Sequence, residues 1–115
     1  MGTLNIIEKL NQYFPELTSE VKYYLEDFSE IYLHLIFGDV FNPYLLELLD
    51  FPVENRSKIN KASELLEYMA SQELEIQEVV VVTILERLSD DKEKTKIFES
   101  FAGEKTREFL IALDY

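Results

Sequence analysis

Residues 76–91 read IQEVVVVTILERLSDD, and the four consecutive valines within them, Val79 to Val82, decide the fold. Four β-branched residues in a row ordinarily favour a strand, because branched Cβ atoms crowd the preceding turn of a helix. Against that, Ile76, Val80, Ile84 and Leu88 recur at every fourth position, and charged residues bracket the run. A strand alternates faces every second residue, whereas a spacing of four keeps side chains on one helical face. The stretch is therefore expected to be a helix, from about Glu73 to Leu88, that is covered on most sides.

Immediately upstream, Ile59, Ala62, Leu65, Leu66 and Met69 form an apolar stripe over about Asn55–Ala70, and the polar segment SQELE separates this helix from the valine helix. Two helices joined by so short a turn should pack as an antiparallel hairpin. Residues 59–91 thus resemble a HEAT-like helical hairpin: an amphipathic outer helix (ASELLEYMA), a polar turn, and a second helix closed by Ser89-Asp90-Asp91.

The same periodicity organises the flanks. Leu4, Ile7, Leu10 and Phe14 predict a first helix over 4–14, with Thr3 as its N-cap and Pro15 ending it. Leu17, Val21, Leu25 and Phe28 line a second, beside which Glu16, Glu20, Tyr23, Asp27 and Glu30 form an acidic row with an aromatic in its middle. The segment Ile31–Phe37 is apolar at every position but one, so it reads equally as a continuation of that helix or as a buried extended connection. Gly38-Asp39 is expected to break the chain there, with Asp39 or Asn42 capping a third helix to about Leu49 and Pro43 in its first turn. Phe51-Pro52 marks a turn. A sixth helix is expected over roughly 91–101, ending near Gly103, and a seventh from about Glu104 to the terminus. The expected architecture is a single all-α domain over 1–115, a compact bundle of about six to seven short helices.

Composition agrees with a folded helical body. The 115 residues include eight Phe and seven Tyr but only three Gly and three Pro, too few turn formers for a β-sandwich. The absence of cysteine removes disulfides, thiolate catalysis and zinc–sulfur sites together. The N-terminus lacks a basic segment followed by an apolar one, and Ile6 stands where a myristoylation signal requires Ser or Thr. No apolar run approaches a membrane span. A cytoplasmic location is expected.

Twenty-three acidic and eleven basic residues give a net charge of −12. That sign argues against nucleic-acid and anionic-membrane partners, which need clustered Lys and Arg. The charge is uneven: residues 1–54 carry −8, residues 55–61 (with Arg56, Lys58 and Lys61) +3, residues 62–86 −6, and residues 87–115 −1.

Catalysis finds little material. His34 is the one histidine, and Glu30/His34 at i, i+4 supplies at most two metal ligands where zinc sites need three or more. Set among Leu33, Leu35, Ile36 and Phe37, it is expected to be a packed, hydrogen-bonded histidine. There is no Gly-x-Ser-x-Gly elbow, no calcium loop and no Gly-rich phosphate loop. Paired carboxylates such as Glu64/Glu67 fall on polar faces, where nothing separates their pKa values. The sequence predicts neither an enzyme nor a bound cofactor.

What remains is the acidic surface. Glu64, Glu67 and Tyr68 on one helix of the hairpin, with Glu73, Glu75 and Glu78 at its turn and the start of the other, should gather five carboxylates and a tyrosine near one end. Glu20, Tyr23 and Asp27 form the second candidate patch. A solubilising coat and a docking surface for a basic partner are both compatible with such charge.

Residues 37–45, FGDVFNPYL, together with 76–91, resemble a family of small acidic bacterial all-helical proteins, similar to the immunity proteins of contact-dependent and polymorphic toxin systems. The resemblance carries no diagnostic functional residues. It implies a toxin-neutralising protein whose partner is a basic cognate toxin domain, a nuclease above all, because clefts that bind polyanions concentrate Lys and Arg. The alternative is an adaptor domain whose hairpin groove holds a peptide or partner helix.

Overall fold

Ile6, Ile7, Leu10 and Phe14 turn the first helix, α1 (Gly2–Tyr13), onto the core, all four being buried. The computed structural model describes residues 2–27 and 33–113, with side chains over 5–25 and 33–113. Helix α1 begins ahead of Thr3, which is therefore inside the helix and not its cap. Pro15 does end it, opening a 3₁₀ turn, Pro15–Leu17, that leads straight into α2 (Thr18–Asp27). Helix α2 buries Val21 and half-buries Leu25.

The third helix differs from expectation. From Leu33 the chain is helical without interruption to Asp50, as an α-helical turn (Leu33–Ile36), a π-helical segment (Phe37–Phe41) and an α-helical second half (Asn42–Asp50). This is α3, residues 33–50. Gly38-Asp39 does not break it, and neither Asp39 nor Asn42 is an N-cap. Phe41 and Asn42 both have helical backbone angles (φ −69°, ψ −47° and φ −59°, ψ −49°). Of the ambiguous segment, residues 33–37 are helical, while Ile31 and Tyr32 lie outside the described residues. Gly38 is there for space: a Cβ at that position would sit 2.7 Å from Arg87 Nη1 and 3.3 Å from Thr83 Cγ2.

Helix α4 (Arg56–Ala70) is the centre of the bundle. It buries Ile59, Ala62, Ser63, Leu65, Leu66, Met69 and Ala70 and touches α1, α3, the helix that follows it and the last helix of the chain. Helix α5, residues 74–88, is the valine helix. It comprises an α-helical start (Leu74–Glu78), a π-helical segment (Val79–Leu85) and a last α-helical turn (Glu86–Leu88). The widened π turn suits the crowded β-branched run, and it buries Val79, Val80, Thr83, Ile84 and Leu85 while leaving Val82 half exposed. Helices α4 and α5 form the expected hairpin. Helix α6 (Lys92–Glu99) starts at Asp91, whose carboxylate accepts from Lys94 N at 3.0 Å. Helix α7 (Glu104–Leu113) lies across α4 and the π segment of α5.

Among the described residues the fold is thus all-α, a bundle of seven helices. Its core is one hydrophobic cluster with an aromatic centre. Phe14 meets Phe41 (6.0 Å) and Tyr44 (5.6 Å) edge-on, and Phe41 packs on Phe37 (5.3 Å). The radius of gyration, 13.2 Å, is that of a globular chain of this length, about 13 Å. No helix of the described residues is long and apolar enough to cross a membrane.

Candidate functional site

The two π-helical segments meet face to face, and polar side chains pin the crossing. The buried Asn42 donates from Nδ2 to the Thr83 carbonyl at 2.7 Å, and Arg87 Nη1 reaches the Gly38 carbonyl at 3.3 Å. His34 Nδ1 pairs with Thr83 Oγ1. The histidine is hydrogen-bonded as expected, but its side chain is exposed instead of packed. The first turn of α3 presents it on the outside of the crossing, with Leu33 and Ile36 facing in.

The residues of the hairpin patch read from sequence have different surroundings. Glu67, half-buried, is engaged by α7: its carboxylate accepts from Lys105 N (3.0 Å), Thr106 N (3.1 Å) and Thr106 Oγ1 (2.9 Å). It therefore caps α7 from another helix, satisfying N–H groups that have no partner inside α7. Burial alone would raise its pKa, but those bonds bring it below the ordinary 4.5. Gly103 makes the approach possible, since a Cβ there would lie 2.5 Å from Glu67 Oε1. Tyr68 is half-buried, with Lys9 Nζ 4.5 Å from its ring centroid. Glu64 is exposed but shares a shallow surface depression with Arg56, Ser57, Asn60 and Lys61. Glu73, Glu75 and Glu78, at the hairpin turn and the first turns of α5, are all exposed.

The α2 patch is better preserved. Glu20 is exposed and Tyr23 is 61% exposed. Together with Ser19 and Tyr24 they line a depression of about 330 Å³. The rings of Tyr23 and Tyr24 stand perpendicular, 5.6 Å apart at 89°. Tyr24 was not singled out by the sequence. Its OH donates to Asp39 Oδ2 at 3.2 Å, a partner on α3 that no local spacing announces. Partial burial, then the Asp39 carboxylate and neighbouring Tyr23 and Glu20, holds the Tyr24 phenol above its ordinary value. Asp27 ends α2, and its side chain lies outside the described residues, as does Glu30. Glu16, from the same row, is committed to the fold. It accepts from the Tyr44 hydroxyl and pairs with Lys58 Nζ at 3.4 Å, tying the 3₁₀ turn to α3 and α4.

No group of three or more His, Asp or Glu side chains among the described residues is placed to hold a metal ion. Chemically, the arrangement offers carboxylates and tyrosine faces, a surface suited to cationic groups.

No curated protein and no solved structure matches the chain. One family description matches residues 7–115, nearly the whole length, and the chain accordingly belongs to the family described as Domain of unknown function (DUF7674).

Proposed function

We propose that this protein is a toxin-neutralising immunity protein, which binds a basic partner, a nuclease-type toxin domain, through its acidic surface and performs no chemistry itself. The observation that carries the reading is the net charge of −12 on a compact helical body. Only two salt bridges, Lys58–Glu16 and Lys94–Asp50, are resolved between side chains of the described residues. Glu20, Glu73, Glu75 and Glu78 all stand exposed. Such a surface steers a cationic cleft toward it and accelerates encounter by roughly 10- to 1,000-fold at low salt. Rapid capture suits a protein that must meet a toxin before it acts, and a cytoplasmic location fits that task.

The test is to isolate the partner from the native host by affinity capture and follow its association by stopped flow over a salt series. Reversing Glu73, Glu75 and Glu78 to Lys is expected to slow association about tenfold or more at low salt. An association rate indifferent both to those reversals and to salt would remove the proposal.

The adaptor reading has one observation in its favour. Phe51 (60% exposed) and Val53 (72% exposed) project from the loop between α3 and α4, and Val53 borders the depression along the start of α4. Binding there would depend on apolar contact, so a Val53→Asp substitution would abolish it while salt changed little.

A further inference from the structure

The depression on α2 combines two features: a pair of perpendicular aromatic rings and a carboxylate one helical turn away from both. We propose that it is a slot for a single arginine side chain of the basic partner, with the guanidinium plane laid on a tyrosine ring and its N–H groups directed at the Glu20 carboxylate. The proposal rests on the reading of the chain as a binder of a basic protein, and names the group by which that partner is anchored.

Geometry argues for a planar cation. Rings at 89° and 5.6 Å make two walls of a corner, so a flat group lies against one wall and is edged by the other. Glu20 precedes Tyr23 by three residues and Tyr24 by four, the spacings that place side chains side by side on a helix. Asp39 sets a second carboxylate at the Tyr24 hydroxyl, which donates to it. The nearest cation in sequence, Lys22, is two residues from both Glu20 and Tyr24, a spacing that points it away from them. At about 330 Å³ the depression has room for one long side chain, not for a helix.

The chain already uses this chemistry within itself. Lys9 Nζ lies 4.5 Å from the Tyr68 ring centroid and 5.8 Å from that of Tyr13, and Lys58 Nζ lies 6.0 Å from that of Tyr44. Cations are drawn to the negative face of such rings, and arginine adds a plane that stacks and five donors that suit a carboxylate.

The experiment is an NMR titration of the full chain with the peptide acetyl-Gly-Ser-Arg-Ser-Gly-amide and with its twin carrying citrulline, an uncharged near-isostere of arginine. The arginine peptide should shift the Tyr23, Tyr24 and Glu20 resonances along a saturating curve, with the citrulline peptide about tenfold weaker. Tyr23→Ser, at a largely exposed position, and Glu20→Gln, which keeps the shape, should each weaken the arginine peptide about threefold to tenfold. Equal response to both peptides, or shifts spread over Glu73, Glu75 and Glu78 with neither substitution mattering, overturns the slot. Deca-arginine in the same buffer, at about 20 mM salt, separates the two ideas. If it binds while the slot fails, the acidic-surface reading stands; if it does not bind, that reading falls as well.

Discussion

Glu67 shows how one residue changes meaning once its neighbours are known. In sequence it belongs to a run of exposed acids, yet its carboxylate is the cap of a helix that begins 37 residues later, at Glu104. Replacing Glu67 with Ala should cost about 1–2 kcal/mol in urea unfolding, the usual worth of a helix cap. The pH dependence follows from the direction of its shift. A carboxyl held below its unfolded value stabilises fully above about pH 4.5, and that contribution fades as pH falls through the folded value. The stability gap between the native chain and Glu67→Gln should therefore be widest near neutrality and shrink in acid. A gap independent of pH would mean the carboxylate is not the group that matters. Gly103 belongs to the same arrangement. Because three hydrogen bonds fix Glu67, Gly103→Ala should cost about 1–3 kcal/mol by overpacking, and much less in a Glu67→Ala background, as a double-mutant cycle would register.

At the scale of elements, the crossing of α3 and α5 is the most constrained contact. Asn42→Ala should destabilise by about 2 kcal/mol, because it strips a buried carbonyl of its donor. Asn42→Asp should fare no better, having no N–H to give. The helices themselves were largely legible in the sequence. The stripe Ile59, Ala62, Leu65, Leu66, Met69 and the four-residue rhythm from Ile76 to Leu88 point inward as the periodicity requires. What misled was Gly38, since glycine commonly ends a helix. Here it serves a close approach by Arg87 and Thr83, side chains 49 and 45 positions away, so no local rule could have flagged it. The candidate surface was legible by half for the same reason. Glu20 and Tyr23 sit together because α2 alone places them, whereas Glu67, Tyr68 and Tyr24 acquire their roles from α7, α1 and α3. The π-helical widening has its one local trace in the four valines, a run that points to a strand and carries no rule for a change of helix type.

For the whole molecule, charge is the governing quantity. A net −12 spread over a body of 13.2 Å radius of gyration repels itself, and salt relieves that repulsion. The melting temperature should rise by roughly 3–8 °C, or about 1 kcal/mol, between low salt and about 0.3 M. A flat response would mean that the carboxylates are compensated locally, as Glu16 and Asp50 are by Lys58 and Lys94.

Each π-helical segment also decides where the molecule tolerates a change in chain length. A wide turn holds one residue more than an ordinary one, so losing Asp39, the exposed residue of Phe37–Phe41, is absorbed by reverting to plain α-helix, and the helix beyond it stays in phase. Helix α4 has no such slack: losing Asn60 turns everything after it by about 100°. Ala62, Leu65, Leu66 and Met69 would swing out of the interior together. Helix content measured by circular dichroism would barely change in either case, so the weight of a one-codon deletion here is set by the width of the turn that receives it.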